Sequence, residues 1–227
     1  MLGTKDGISI RYMQLEDYPS VKLFMRDNYW SNGEPLSAAA PAPAPADIEL
    51  QKCNEQLRDE YYLKTIAQGF SILALDEQGQ IVGQQLAEAV GPNYLDIYRK
   101  CHSLEQNYYV AMRKLLHHTL KESQIFERYA GYKMLYTRAS AVRSDMRGQG
   151  LGKRLLATTI EIAKQHNFEL LASACSSYYS AKLRLSLGMQ CIYALAYKDY
   201  KDEQGVVPFQ PSEPHTHSQV FVLQLKL

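Results

Sequence analysis

At 227 residues the chain is long enough to bury a substantial core, and no second composition regime appears, so one domain spanning residues 1–227 is expected. Its 25 basic and 24 acidic side chains leave a formal charge of +1 with no run of like charge, which argues against nucleic acid or an anionic membrane as the main partner. Cys53, Cys101, Cys175 and Cys191 are scattered without metal-type pairing, and no apolar run reaches the length of a signal-peptide core or a membrane span. A reduced cytoplasmic protein without a bound metal is the expectation.

Ile8 to Met13 alternates Ile8, Ile10 and Tyr12 with Ser9 and Arg11, the pattern of a first strand. Asp17 stands where a helix N-cap belongs, and Val21, Leu23, Phe24 and Tyr29 follow at helical spacing. That helix stops at Trp30-Ser31-Asn32-Gly33. In Glu34-Pro35-Leu36 the proline biases Glu34 toward an extended backbone, which puts a carboxylate on a stiff turn. Alternating Ala and Pro over Ser37 to Ala46 predicts an extended, exposed loop, and Asp47 then caps a helix over Ile48 to Ala67.

Phe70 to Leu73 opens a second strand, Glu77-Gln78-Gly79-Gln80 turns it, and Ile81 to Val90 returns as a third. After Pro92-Asn93, helices are expected over Tyr94 to His102 and Leu104 to Lys121, with Tyr108 and Tyr109 in core or groove and His117-His118 on a solvated face. Leu135 to Val142 reads as a strand. Leu170 to Cys175 is a short buried strand, and Tyr178 to Leu187 a helix closed by Gly188. Two last strands, Cys191 to Tyr197 and Val220 to Leu225, flank a loop over Asp199 to Ser218 that carries His215 and His217. These seven strands and their helices predict an α/β fold with a mixed sheet. A parallel crossover runs from Val142 to Leu170, so a ligand should sit where those two strands diverge.

Inside that crossover lies Arg147-Gly148-Gln149-Gly150-Leu151-Gly152-Lys153, followed by a helix in which Leu155, Leu156, Ile160 and Ala163 recur. Glycines leave backbone amides uncovered at the positive end of a helix dipole, which suits a phosphate. A Walker loop needs Ser or Thr after its Lys, and here Arg154 follows Lys153. A dinucleotide-binding turn belongs near the first strand of its fold. The string resembles instead the R/Q-x-x-G-x-G/A signature of the GNAT acetyltransferases.

Three further strings are similar to the insect arylalkylamine, dopamine-type, branch of that family: Glu34-Pro35-Leu36; Cys175-Ser176-Ser177-Tyr178-Tyr179-Ser180-Ala181-Lys182 followed by Leu187-Gly188; and Asp199-Tyr200-Lys201 with Pro214-His215. The resemblance implies a GNAT fold and acetyl-CoA as cosubstrate. It places the cofactor against Ala141, Val142, Arg147, Gly148, Gln149, Gly150, Leu151, Gly152, Lys153, Ser176, Tyr179 and Lys182. Glu34, Ser176 and Ser180 are its implied catalytic residues, and Glu34, Pro35 and His215 its implied amine contacts. The partners are then a small-molecule amine and acetyl-CoA, and a monomer is the expectation.

Acetyl transfer to an amine near neutral pH needs a base, because a primary alkylamine is almost wholly ammonium there. By the resemblance Glu34 is that base, and backbone amides around Ala141 and Val142 receive the oxyanion. Local roles compete at two positions: Ser176 as helix cap and Ser180 as a satisfied helix hydroxyl. The family's usual acid is a tyrosine four residues before the helix-ending glycine, and here Arg184 occupies that position. A second departure is Gly33, where the insect group often carries Asp. Alternatives are an aliphatic di- or polyamine acceptor such as agmatine, and a catalytically silent coenzyme A-binding module.

Overall fold

The computed structural model describes residues 1–31, 33–40, 48–103 and 108–226, with 48–54 and 99–103 described by backbone alone. From residue 41 onward the expected Ala/Pro loop lies outside them, as do the Asp47 cap and the Leu104 helix start. The strands are β1 (Gly3–Lys5), β2 (Ile8–Tyr12), β3 (Ile72–Leu75), β4 (Ile81–Val90), β5 (Met134–Val142), β6 (Leu170–Cys175), β7 (Gln190–Ala196) and β8 (His217–Gln224). They form one sheet in the order β1-β2-β3-β4-β5-β6-β8-β7, in which only the β5/β6 pair is parallel.

The expected seven strands are therefore eight. The additional one, β1, is short and exposed and carries no alternation of its own. It pairs with β2 through Asp6-Gly7, both at positive φ (52° and 72°), the backbone a tight hairpin requires. Arg154 ties this hairpin down by donating to the carbonyls of Gly3, Lys5 and Ile8.

The helices are α1 (Tyr18–Met25), α2 (Pro35–Ala38), α3 (Ile48–Ala67), α4 (Tyr108–Glu122), α5 (Ile125–Arg128), α6 (Leu151–Gln165) and α7 (Tyr178–Ser186). Pro92–Ser103 winds as a 3-10 helix where an α-helix was expected, and α1 widens over Arg26–Trp30 into a π-turn. Alternate residues of each strand sort the helices onto two faces. Leu135, Leu171 and Phe221 pack with α6 and α7, whereas Tyr136, Leu170 and Val222 pack with α4 and the 3-10 segment. Near the other edge Leu73 and Leu86 meet α1 and α3, while Ile72 and Ala74 meet α6. Leu155, Leu156 and Ile162 of α6 are each 1% exposed or less, and each contributes about 1.5–3 kcal/mol of apolar burial.

One irregularity sets up the site. Opposite β4, Leu86 pairs with Ala139 and Ala87 with Thr137, which leaves Arg138 as an extra residue in β5. Such a bulge reverses which way later side chains point. Leu135 accordingly faces α6, whereas Ala139 and Ala141 face α1 and α3. The amides of Gln84 and Gln85 both donate to the Ala139 carbonyl, which explains why two glutamines sit fully buried in a central strand. Among the described residues, no helix is long and apolar enough to cross a membrane.

Candidate active site

The parallel pairing of β5 with β6 runs only from Met134/Leu170 to Thr137/Ser173. At the bulge the strands part, and β5 continues to Val142 without β6 beside it. Arg143 N–H donates to the Val82 carbonyl, so Arg143 and Ala141 form the hydrogen-bonded pairs with β4. Alternation then turns the peptide groups of Val142 and Ser140 into the fork. Of the two amides expected to meet an oxyanion, Val142 faces the opening and Ala141 is engaged with β4. Arg147 Nε, reaching the Val142 carbonyl at 3.2 Å, fits that direction.

Beyond β5 the chain enters the glycine turn. Gly148 and Gly150 adopt φ of 75° and 86°, and a Cβ on either would meet open space. α6 starts at Leu151, two residues earlier than the glycine spacing suggested, with Gly150 as N-cap. Among the described residues, no acceptor within the protein receives the successive amides of Gly148, Gln149, Gly150, Leu151, Gly152 and Lys153. Six free donors at a helix start, with no side chain in front of the first glycines, fit a pyrophosphate. Gly152 is more confined, its Cβ position lying 3.6 Å from Leu183 and 3.8 Å from Val142.

The turn carrying Glu34 is built against the same region. Tyr29 O accepts from both Gly33 N (2.9 Å) and Glu34 N (2.7 Å). A Cβ at Gly33 would overlap the Asn28 carbonyl oxygen, so this position has no room for a side chain. Asn28 also accepts from Arg147 Nη2 (2.7 Å) and Ser144 N (3.2 Å). The π-turn thus ties the carboxylate's loop to the phosphate seat.

Glu34 is 5% exposed and caps α2, its Oε2 accepting from Ser37 N at 2.5 Å. Ser176 O–H donates to Oε1 at 2.5 Å, joining residues 142 positions apart. The helix-cap role considered for Ser176 belongs by position to Ser177, which makes no side-chain cap bond. Tyr197 O–H steadies Ser176 through its carbonyl at 2.6 Å. Tyr29, Tyr62, Tyr108 and Tyr197 all feel the Glu34 charge. Burial first and that carboxylate second push Tyr29 and Tyr197 well up and Tyr108 to about 12. Leu36, the next residue but one, packs with Leu115, Tyr197, Tyr200 and Phe209, so the Glu-Pro-Leu string joins a carboxylate to an aromatic cluster.

The remaining sequence candidates fall around this centre. Ser180 O–H donates to the Ser177 carbonyl (2.8 Å), the local role considered for it, and keeps its oxygen lone pairs. His215 Nδ1 accepts from Tyr178 N (3.2 Å), closing the start of α7, and its ring meets Tyr179 edge to face. Tyr179 is 64% exposed and Lys182 is exposed, both on the outer side of α7. His117 and His118 are not on a solvated face: each is half-buried against a tyrosine ring, Tyr98 and Tyr200 respectively.

Sequence reasoning missed the polar network at the bulge. Arg138 Nη1 donates to the hydroxyls of Tyr98 (3.1 Å), Tyr61 and Tyr94 (3.3 Å each). Tyr61 and Tyr94 pass the contact on to buried Glu88. Burial opposes the Arg138 cation, but Tyr98, Tyr94 and Glu88 outweigh it and hold the group protonated. Arg138, the one charged residue of its strand, was the available signal.

A row of free amides beyond a split parallel pair, with a buried carboxylate at the opening, suits a cosubstrate that carries its group on a phosphate-bearing handle. A model described as the acetyltransferase (GNAT) family matches residues 44–184, more than half of the chain, and the chain belongs to that family. Its structure is similar to an agmatine N-acetyltransferase in apo form (26% identity, TM-score 0.81, covering 97% of this chain and 100% of that one). It is equally similar to a Drosophila melanogaster polyamine N-acetyltransferase that forms N-acetylagmatine (26%, 0.81, 96% and 100%). A mosquito arylalkylamine N-acetyltransferase like 5b stands beside them (25%, 0.81, 96% and 100%). The protein is thus an acetyltransferase of the GNAT family, whose members use acetyl-CoA.

Proposed function

We propose that this enzyme, as a single domain, acetylates the primary amine of a small arylalkylamine by direct attack on acetyl-CoA in a ternary complex. The observation that carries the reading is the buried Glu34 carboxylate held by Ser176 and Ser37 among Tyr29, Tyr108 and Tyr197. A carboxylate there attracts an ammonium and accepts its proton. The free amides of Gly148 to Lys153 take the pyrophosphate, with Arg147 beside them, and the Val142 amide meets the oxyanion. Pro35 fixes the Glu34 turn. Ser180 and His215, on either side of the start of α7, border the amine and thioester.

The substrate's far end is argued from what surrounds Glu34. Leu36, Leu115, Tyr197, Tyr200, Phe209 and Tyr108 form an apolar and aromatic wall, which suits an aryl ring. The test is thiol release from acetyl-CoA with tyramine, dopamine and serotonin against agmatine and spermidine. At least tenfold higher kcat/KM for the aryl amines is expected. Faster turnover of agmatine overturns the aryl preference, and no release with any amine overturns the amine-acetyltransferase reading.

A further inference from the structure

We propose that Arg184 supplies a fixed positive charge for the thiolate released from coenzyme A, an inference that rests on the acetyl-CoA reading above. Arg184 stands near the C-terminal end of α7. Helix side chains lean toward the N-terminus, so its guanidinium runs back along the helix toward the end of β6. Nη1 donates to the Ser180 carbonyl (3.3 Å) and Nε to Ser173 Oγ (3.1 Å). Ser173 Oγ donates in turn to the Thr137 carbonyl (3.3 Å), and Thr137/Ser173 is the last rung that β5 and β6 share. The cation is therefore anchored where the fork opens.

Its surroundings lack an anion. Arg184 is 3% exposed, its two partners are neutral oxygens, and among the described residues no carboxylate lies within 4.0 Å. Nη2 has no partner there either, yet it is not one of the enclosed unpaired atoms, which are Arg58 Nε, Gln84 Oε1 and Arg113 Nε. A buried cation in neutral company is costly unless an anion joins it. The titratable groups facing it are Cys175 on β6, beside Ser173, and Tyr29 from the π-turn, which feels the charges of Arg184, Arg138 and Glu34. Glu34 makes its hydrogen bonds to Ser176 and Ser37 instead.

The reaction itself generates the missing anion. The amine nitrogen bonds to the acetyl carbon, the C–S bond breaks with its electron pair on sulfur, and the amine proton passes to Glu34 and then to water. An arginine stays charged throughout the working pH range, so Arg184 can receive that sulfur without giving up a proton. A thiolate beside such a cation is stabilised, which lowers its pKa.

The thiol of coenzyme A bound to the wild-type enzyme should be titrated by thiolate absorbance, as a difference against the desulfo-CoA complex. A pKa about one unit or more below that of free coenzyme A is expected. Arg184→Met should return it to the free value and lower kcat about tenfold or more with the amine KM unchanged, while Arg184→Lys keeps part of the shift. Coenzyme A that binds wild type with an unshifted thiol overturns the role of Arg184 and leaves the acetyl-CoA reading standing. Coenzyme A that does not bind overturns both. Should Arg184→Met fail to fold, the wild-type titration alone is decisive.

Discussion

Glu34→Gln isolates proton removal from the rest of catalysis. Ser37 N–H can only donate, so the new amide oxygen must face it, and the amide nitrogen then faces Ser176. The Ser176 hydroxyl can rotate to accept, so both contacts survive in neutral form. Exchanging two charge-assisted hydrogen bonds for neutral ones costs about 1–2 kcal/mol, and relief of a buried carboxylate offsets part of it. The fold should hold. Chemistry should not: for an alkylammonium with pKa near 10.4, about 4 in 10,000 molecules are neutral at pH 7. Finding one costs about 4.6 kcal/mol at about 1.36 kcal/mol per pH unit. Without the base, kcat/KM at pH 7 should fall about 10²- to 10⁴-fold. It should then climb about tenfold per pH unit toward pH 10, as free amine becomes available. Steady-state thiol release from pH 6 to 10, with melting curves on the same samples, measures both. A variant with wild-type kcat/KM at pH 7 refutes the assignment.

Gly150→Ala puts a side chain on a residue at φ 86°, which costs about 1–2 kcal/mol, and sets a methyl group in front of the free amides. Melting should drop by about 2–8 °C and the Kd for coenzyme A rise about tenfold, and an unchanged Kd in calorimetry counts against the seat. Gly33→Ala drives a Cβ into the Asn28 carbonyl and should destabilise by about 1–3 kcal/mol, read as a lower urea midpoint; a neutral result means that the turn is looser than described. Tyr29, Tyr62, Tyr94 and Tyr136 are all pushed up, by burial first, and Tyr108 to about 12. Because their folded values lie above an unfolded value near 10, the stability they carry is whole below about pH 10 and lost as pH rises beyond it. Urea midpoints should therefore be lower at about pH 11 than at about pH 9, and equal midpoints contradict that sign.

Much of this was legible because it is local. Alternation in Ile8 to Met13, helical spacing after Gly152, the glycine string and the Glu34-Pro35 turn each declare themselves within a few residues. Asp6-Gly7 was an equally local hairpin signal, and β1 was missed because three exposed residues give no apolar pattern to notice. The pairing of Glu34 with Ser176 spans 142 positions and becomes visible only once β6 ends beside α2. The π-turn after α1 and the extra residue at Arg138 also have no periodic mark, since each is a single-residue departure from a regular winding. His117 and His118 were misjudged for a related reason: their ring partners, Tyr98 and Tyr200, come from elements elsewhere in the chain.

The unopposed residue in β5 has a consequence for how this scaffold can change length. Upstream of it Leu135 serves the α6 side, and downstream Ala139 and Ala141 serve the opposite one. Deleting one residue between Thr137 and Ala139 would restore a regular ladder while swapping the two linings of the last four positions, emptying one core and overfilling the other. The nine residues from Met134 to Val142 behave as an indivisible ruler, against which the rest of the enzyme is measured.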